Sequence, residues 1–298
     1  MIQKFLHQYY QPSFNSGHSP KLMSVSYVPC SFNKQHPRIL HEHPDAFELL
    51  LVTSGEGVYY LDSSYYEIRQ GDLIFCNSGV LHDELTEKNK GLSFYGLRAA
   101  GFIYQNLPEN HIITGEMRPV VASEDNYGAF LKLFEVLFQY ADARLHLEEF
   151  CGQLMMSILN LAVATVYEAH MKSPDMTGET RPKGTKQLYR IKQYIDQNYH
   201  DDLSLESLGK IFYLSPYYLS HIFKEAFEIP PMQYIYRRRI GEAQSLLITT
   251  GDPVTKIAGL VGFGDSNYFS AQFKRYVGMT PSAYRKIYAR GTTSHVDQ

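Results

Sequence analysis

The sequence predicts an α+β multidomain protein. An N-terminal β-barrel with flanking helices precedes an all-α domain of two helix-turn-helix units joined by a long helix. Three observations predict this fold. Short β-like segments fill residues 21–122, amphipathic helical stretches fill residues 123–171, and one helical pattern occurs twice after residue 186. A length of 298 residues also fits more than one domain.

The C-terminal half contains an internal repeat with an offset of 50 residues. Phe223-Lys224 aligns with Phe273-Lys274, and the Pro-x-x-Tyr sequence that begins at Pro231 recurs at Pro281. Before the turn of each unit the offset is 49, so the second turn is one residue longer. A pattern that recurs in register indicates a tandem structural unit.

Each repeat combines a short helix, a turn and a second helix with a polar outer face, which is the plan of a helix-turn-helix DNA reader. In the first unit, Ser215 is the expected N-cap of the second helix and Pro216 opens it. In the second unit, Gly262 interrupts the first helix and Asp265 is the expected N-cap. The segment from Pro231 to about Leu247 is expected to be the long joining helix.

Charge is divided unequally along the chain. Residues 184–298 carry 14 Lys and Arg against 10 Asp and Glu, whereas residues 1–183 carry 14 against 21. A mildly basic C-terminal part suits a module that binds a polyanion.

Three scattered cysteines indicate neither a disulfide framework nor a Cys-rich metal site. Because the N-terminus also lacks the apolar core of a signal peptide, we expect a cytoplasmic protein with no membrane partner.

Composition divides the chain into five parts: an N-terminal arm at 1–20, the barrel at 21–122, a helical dimerisation segment at 123–171, a linker at 172–185 and the DNA-binding domain at 186–290. Gly, Pro, Asn and Asp separate most of the short strands expected in the barrel, as in a sandwich or barrel fold. The expected strands are Leu22–Val28, Ile39–His43, Phe47–Thr53, Val58–Leu61, Tyr65–Ile68, Asp72–Phe75 and Leu92–Leu97.

Four residues of the barrel region can form one binding site. His41 and His43 are two positions apart, so both lie on the same face of a strand, and Glu48 and His82 follow them. Three imidazoles and one carboxylate can bind a divalent metal such as Zn, Fe, Mn or Ni. The alternative is that these residues line a pocket, bond to one another or contact an organic ligand.

The segments that carry these residues resemble the two sequence motifs of the cupin family. HEHPDAFELLLVTSG has the His-x-His, Glu and Gly of the first motif, and GDLIFCNSGVLHDEL is similar to the second. Gln35, Asn77 and Thr86 stand where the family has Gly, Pro and Asn. The resemblance implies a small barrel whose four residues either bind a metal or serve a regulatory pocket without one.

The barrel is also rich in tyrosine, and we expect Tyr59 and Tyr95 to contact a small molecule beside the four site residues. Aromatic faces with a hydroxyl group suit a sugar or another polar ligand. The alternative for each tyrosine is ordinary packing on a strand. No cofactor is certain from the sequence, and a divalent metal stays open.

The helical segment indicates a homodimer. Its second helix has two apolar stripes, one from Leu147 to Thr165 and one from Phe150 to Val166. One stripe can cover the barrel, and the other is expected to pack against a partner subunit. The alternative is that both stripes pack within the chain.

The C-terminal half resembles the AraC/XylS family of bacterial transcription regulators over about residues 185–290, most closely in GFGDSNYFSAQFKRYVGMTPSAYR. The resemblance implies ligand-responsive binding to double-stranded DNA, with RNA polymerase as a partner if the protein is an activator. Gly209, Glu228 and Ala271 depart from the family pattern. The first two are expected to lower local stability, and Ala271 is expected to leave the second unit with fewer base contacts.

Outward side chains of the two second helices are expected to read base edges, and basic residues near them to contact phosphates. The expected base-reading residues are Tyr217, Ser220, His221, Ser266, Asn267 and Ser270. The expected phosphate contacts are Lys224, Lys274, Arg237 and Arg238, each with a solvated surface charge as its alternative.

These patterns favour a dimeric, ligand-responsive transcription regulator that is not an enzyme. A metal-dependent cupin enzyme, such as a dioxygenase or an isomerase, is the opposing hypothesis. The His and Glu residues favour it, and the tandem DNA-reading repeat disfavours it. A metal-responsive DNA-binding regulator is the third hypothesis.

Overall fold

The computed structural model describes residues 14, 17, 19–31, 38–62, 64–84, 90–142, 146–172 and 186–288. Most of the expected arm and residues 173–185 of the expected linker lie outside the described residues. Phe14, within the expected arm, is buried against the rings of Phe102 and Tyr104.

Antiparallel strands form one sheet in the N-terminal domain. The strands are β1 (Lys21–Val28), β2 (Phe47–Leu61), β3 (Ser64–Arg69), β4 (Asp72–Cys76), β5 (His82–Glu84), β6 (Lys90–Ala100) and β7 (Val120–Ala122). Five of them are hydrogen-bonded in the order β1-β6-β2-β4-β7, and β3 and β5 pair with β2.

The expected strands Phe47–Thr53 and Val58–Leu61 are one continuous strand, β2, of 15 residues. The glycine-containing sequence between them does not end the strand. It causes register shifts against β6 around Ser54, and Gly55 has a φ of 79°. Such a bulge bends a strand. The first half of β2 therefore pairs with β4, and the second half pairs with β3 and β5.

The strand expected at Ile39–His43 is reduced to one backbone bridge, between His41 and His82. β5 and β7 were not expected from the sequence. Each is only three residues long, too short for an alternating pattern to be recognised. The bridge matters for function because it joins two segments that carry candidate site residues.

The two faces of the sheet have different partners. One face encloses an interior cluster that includes Leu50, Val52 and Phe94. The other face packs under α1 (Tyr127–Tyr140) and α2 (Glu148–Lys172), which occupy the positions of the two expected helices. Side chains alternate between the faces along each strand, so neighbouring residues serve different parts of the domain.

Helix α2 has the length and hydropathy of a membrane span, with a mean hydropathy of 1.5 over 18 residues. However, 44 % of that window is buried, and its apolar side chains pack in the core between the sheet and α1. A core helix of a globular domain has the same properties. Both expected stripes contribute to this burial, through Cys151, Met155, Ile158, Leu159, Ala162, Val163, Thr165 and Val166.

The C-terminal domain is helical and contains both expected helix-turn-helix units. The helices are α3 (Lys186–Asn198), α4 (Leu205–Phe212), α5 (Pro216–Phe227), α6 (Pro231–Thr249), α7 (Val254–Leu260), α8 (Ser266–Val277) and α9 (Pro281–Tyr288). α4 and α5 form the first unit, α7 and α8 form the second, and α6 joins them.

α5 and α8 are the second helices of the two units and are called the reading helices below. Their expected N-caps are confirmed. Ser215 Oγ accepts a hydrogen bond from Tyr218 N, and Asp265 Oδ1 accepts one from Tyr268 N. Both bonds satisfy amide groups that the first turn of a helix leaves unpaired. The start of each reading helix is therefore fixed by the residue that the sequence indicated.

Gly209 does not carry the expected stability penalty. A Cβ atom at this position would lie 2.6 Å from Leu214 O, so the turn between α4 and α5 needs the glycine. The expected cost does apply to Glu228, which ends α5 with a φ of 62°. This left-handed conformation is unfavourable for a residue with a Cβ atom.

The two domains share a buried apolar cluster. Ile39, Leu40, Tyr60 and Leu81 of the barrel domain belong to the same core as the helices of the C-terminal domain. The backbones approach closely at α6, where a Cβ atom on Gly241 would be 1.9 Å from Leu40 O. The barrel therefore rests directly on the helix that joins the two helix-turn-helix units.

Candidate functional site

The structure brings together the four barrel residues that the sequence indicated. Their potential ligand atoms all lie within 4.8 Å of one another. Glu48 lies in β2 and His82 begins β5. His41 N donates to His82 O at 3.0 Å and His82 N donates to His41 O at 2.8 Å. His43 joins the same group because it is two residues beyond His41.

Backbone carbonyl groups orient two of the imidazoles. The Nδ1 atoms of His41 and His82 lie 2.8 Å from the carbonyl oxygens of Ile39 and Val80, respectively. A carbonyl oxygen only accepts hydrogen bonds, so each Nδ1 carries a proton, and in the neutral imidazole the Nε2 atom then has a free lone pair. This arrangement is typical of metal-binding histidines.

The Nε2 atom of His82 is buried and has no hydrogen-bond partner among the residues that the structure describes. It lies 3.1 Å from Glu48 Oε2, to which it can donate a hydrogen bond only when the imidazole is protonated. His82 itself is only 1 % exposed. A buried polar atom without a partner is costly, and this one points towards the centre of the cluster.

Burial controls protonation in the cluster. It lowers the pKa of His41, with further lowering by the nearby Arg38, and it also lowers the pKa of His43 despite the opposing Glu48 carboxylate. Burial would raise the pKa of Glu48, but His43 and His82 together outweigh this effect, and the pKa is lowered well below its usual range. At neutral pH, His41 and His43 are therefore neutral and the carboxylate is ionised, which is the state that a metal ion requires.

Tyr59 lies beside the cluster as expected. Its ring stacks against His82 with 6.2 Å between centroids, and burial raises the pKa of its hydroxyl group well above the usual range. Tyr59 is 2 % exposed, so a ligand would have to displace its neighbours to contact the ring widely.

Tyr95 was expected in the same pocket, and this prediction is wrong. It lies on the opposite face of the sheet and packs against Tyr27, Phe134 and Phe138. The reason is strand alternation, which puts Tyr95 on the helix-covered face with Leu97. The sequence could not reveal this without the register of β6.

Two neighbours of Glu48 were not expected. Cys76 in β4 and Arg98 in β6 are its partners across the sheet. Burial raises the pKa of the Cys76 thiol and lowers that of Arg98. Only the strand register reveals these neighbours, because neither residue forms a motif with the histidines.

The second site is the outer surface of the two reading helices. The reading surface has large exposed groups on α5 and a smaller polar set on α8. Tyr217 is 84 % exposed. Among the other expected contacts, His221, Lys224, Asn267 and Lys274 are exposed, and Ser220, Ser266 and Ser270 are half-buried. Ser270 Oγ donates a hydrogen bond to Ser266 O at 2.9 Å, so its hydroxyl proton is already used within α8.

Arg237 and Arg238 were expected to contact phosphates, but the structure directs both towards the barrel. Arg237 pairs with Asp83, and Arg238, which is 1 % exposed, pairs with Glu42. In this arrangement of the domains, neither arginine faces the solvent beside the reading helices. The sequence could not indicate this because the partners lie more than 150 positions away along the chain.

Comparison with known proteins identifies both domains. Residues 32–159 match the sequence profile of the "AraC-like ligand binding domain", and residues 208–287 match that of a "Helix-turn-helix domain". The chain is 25 % identical over 286 residues to "Uncharacterized HTH-type transcriptional regulator YdiP" of Escherichia coli K12. That match covers 96 % of this chain and 92 % of the relative.

Two further matches cover one or both domains. The "Arabinose operon regulatory protein" of Escherichia coli K12 is 27 % identical over 243 residues, with 80 % of this chain and 79 % of the relative covered. The crystal structure of the C-terminal domain of the response regulator yesN from Fusobacterium nucleatum is 38 % identical. The match covers 34 % of this chain and 99 % of the solved chain, with a TM-score of 0.33.

The two matched domains, in this order and with the paired reading helices, establish that the chain belongs to the AraC family of DNA-binding transcription regulators.

Proposed function

We propose that the barrel domain binds an effector at His41, His43, Glu48 and His82 and thereby controls DNA binding by α5 and α8. The observation that carries the proposal is the buried Nε2 atom of His82, which points into the cluster and has no hydrogen-bond partner in the described part of the chain. In a protein that binds DNA, an internal site of this kind is best explained as a sensor. We expect this regulator to act in the cytoplasm, where its DNA target is.

A divalent transition metal ion is the first candidate effector. The four residues suit such an ion because they supply two neutral imidazoles, an ionised carboxylate and the buried Nε2 atom of His82. The potential ligand atoms of the four residues all lie within 4.8 Å of one another, so His41, His43, Glu48 and His82 would hold a single divalent ion. A bound ion would supply positive charge that satisfies His82 and Glu48.

A sugar is the second candidate effector, and a specific relationship favours it. A relative that is 27 % identical is named as the arabinose operon regulatory protein. Tyr59 and the polar groups of the cluster would then supply the stacking surface and the hydrogen bonds. The burial of Tyr59 weighs against this candidate, since a sugar needs more room than an ion.

The DNA contacts are divided between the two units. α5 and α8 would enter successive major-groove segments about 34 Å apart, with Tyr217, His221 and Asn267 facing base edges. Lys224 and Lys274 would contact phosphates on either side. The second unit would anchor more than it discriminates, because Ala271 occupies an exposed position of α8 that can make no polar base contact.

A homodimer is part of the proposal, with RNA polymerase as a further partner in activation. Much of the apolar surface of α2 is buried within its own domain, which leaves a narrower surface for a partner than the sequence indicated. Phe150 is 40 % exposed, and Leu154 and Leu161 on the same face are half-buried. This spacing of four and seven residues suits a helix pair across a two-fold axis.

The experiment that tests the proposal is calorimetric titration of metal-free protein with Zn²⁺, Ni²⁺ and Mn²⁺, and separately with L-arabinose. The His82→Ala variant is measured in parallel. If one metal ion binds to the parent protein but not to the variant, the result supports a metal effector. Binding of the sugar alone supports the second candidate. If neither binds, the site has no role with these effectors. Turnover of a substrate by the metal-loaded protein, without binding to DNA, would favour the cupin enzyme instead.

A further inference from the structure

The candidate effector site and the contact between the domains are built on the same two short segments. His41 and His82 are joined through their backbones and point into the cluster. Their neighbours Glu42 and Asp83 point the other way, because successive side chains in extended backbone face opposite sides. Each segment therefore contributes a histidine to the site and a carboxylate to the interface with α6.

The two carboxylates bind the two arginines that the sequence indicated as phosphate contacts. Asp83 Oδ2 accepts from Arg237 Nη2 at 2.5 Å, and Glu42 Oε1 accepts from Arg238 Nη2. Asp83 is 2 % exposed and Arg238 is 1 % exposed. Arg238 is buried and the Arg237 side chain is only 13 % exposed, so neither guanidinium is accessible to a DNA phosphate in this arrangement.

The interface is not optimised for permanent contact. Within the described ranges of the chain, Nε and Nη1 of the buried Arg238 have no hydrogen-bond partner, and Nη1 lies 3.7 Å from Glu242 Oε2. Buried charges with incomplete partners are weak contributors to stability. Contacts between domains of one chain also tend to be polar and reversible. A modest change in free energy can therefore separate these surfaces.

Close packing makes the contact sensitive to small displacements. Ile39 N donates to Gln244 Oε1 at 2.9 Å within the buried interface, and Leu40 lies against the bare backbone of Gly241. Leu40 directly precedes His41. A movement of the His41 segment by a few tenths of an ångström would consequently change the packing against α6.

We propose that Glu42 and Asp83 form a releasable latch that keeps Arg238 and Arg237 away from DNA phosphates, and that the His41–His82 bridge couples this latch to occupancy of the effector site. The latched form still exposes the reading faces of α5 and α8, so it binds DNA with fewer phosphate contacts. Release adds two. The coupling to the effector rests on the proposed function, whereas the latch itself does not.

The latch is tested on the full-length protein with a random-sequence 40-base-pair duplex, because phosphate contacts do not depend on sequence. Affinity is measured by fluorescence anisotropy over a range of KCl concentrations. Two variants release the latch by different means. Glu42→Gln with Asp83→Asn removes its charges, and Gly241→Ala introduces a side chain where Leu40 packs.

Each phosphate contact contributes about 0.9 to the slope of log affinity against log salt. Both release variants should therefore steepen the slope by about 1.8 and bind more tightly at low salt. Adding Arg237→Gln and Arg238→Gln to the Gly241→Ala variant should return the slope to its original value. Unchanged slopes in both release variants would overturn the latch.

Matched controls separate release from general effects. Glu116→Gln with Glu135→Gln removes two exposed charges of the barrel domain far from α6 along the chain, and its slope should stay close to that of the parent. Gly259→Ala adds a helical methyl group that would have no described atom outside its own helix within 4 Å, and should also have no effect. A slope that steepens equally in the charge control would show that net charge, not the latch, explains the result.

The coupling is tested by adding Zn²⁺ to the same assay. If calorimetry shows Zn²⁺ binding, the ion should steepen the slope of the parent protein and leave the slope of Gly241→Ala unchanged. Zn²⁺ binding without any change in the slope of the parent would overturn the coupling. Absence of Zn²⁺ binding would instead refute zinc as the effector, and the release variants would still decide whether the latch exists.

Discussion

Glu228 and Gly278 end the two reading helices in the same left-handed backbone conformation. Their φ angles are 62° and 83°, and both residues directly follow the last residue of the helix. Glycine adopts this conformation freely, whereas a residue with a Cβ atom is disfavoured by roughly 1–2 kcal/mol. The first unit therefore carries backbone strain that the second unit avoids.

We predict that Glu228→Gly stabilises the C-terminal domain by about 1 kcal/mol, since some of the relieved strain is offset by the greater freedom of glycine in the unfolded chain. Gly278→Ala should destabilise it by a similar amount. Urea denaturation followed by circular dichroism measures both changes. A loss of stability in Glu228→Gly would mean that side-chain contacts of Glu228 outweigh the strain.

The two lysines on the reading helices should contribute equally and independently of sequence. Lys224→Gln and Lys274→Gln are each expected to reduce the salt slope for random duplex DNA by about 0.9, because each removes one phosphate contact. Lys132→Gln, on the exposed face of α1, is the control and should leave the slope unchanged. A reduction in only one of the two lysine variants would show that only one unit engages DNA in the non-specific complex.

Base reading should depend more on the first unit than on the second. We expect His221→Ala to relax the sequence preference selected from a random DNA library at the positions read by α5, by about 1–3 kcal/mol. Asn267→Ala should have a smaller effect, because α8 also carries Ala271 at an exposed position. Equal loss of preference in both variants would contradict this division of roles.

Metal binding, if it occurs at the cluster, should stabilise the barrel domain by mass action. At a free ion concentration of 100 times Kd the expected gain is about 2.7 kcal/mol. Glu48→Gln should lose most of this gain because it removes the ionised ligand while it retains the shape of the side chain. Differential scanning fluorimetry with and without Zn²⁺ measures both values. An equal gain in the parent and in Glu48→Gln would locate the ion elsewhere.

The sequence predicted the features that depend on local pattern. The repeat located both reading helices, and Ser215 and Asp265 marked where each begins. His41, His43, Glu48 and His82 came together as the spacing and the resemblance implied. These predictions succeeded because capping, helical periodicity and strand alternation act over a few residues.

Features set by long-range register could not be predicted. Tyr95 lies on the far side of the sheet because β6 pairs with β2 in a register that no local pattern specifies. Arg238 meets Glu42, 196 positions away, because the barrel packs on α6. An arginine beside a DNA-reading unit has the same sequence environment whether it contacts a phosphate or a carboxylate of another domain.

The exposed residues of α2 should determine the oligomeric state. Phe150 is 40 % exposed and lies on one face with the half-buried Leu154 and Leu161, so a charge at this position would have to be buried if a partner helix packs there. We predict that Phe150→Glu lowers the affinity of self-association at least tenfold, since burying an unpaired carboxylate costs more than the about 1.4 kcal/mol that this factor represents. Sedimentation velocity over a range of protein concentrations measures the change.

Ile287→Glu is the control, because Ile287 is 51 % exposed on α9 in the DNA-binding domain. If both variants associate like the parent, the dimer uses another surface, and if only Ile287→Glu dissociates, the contact lies between the DNA-binding domains.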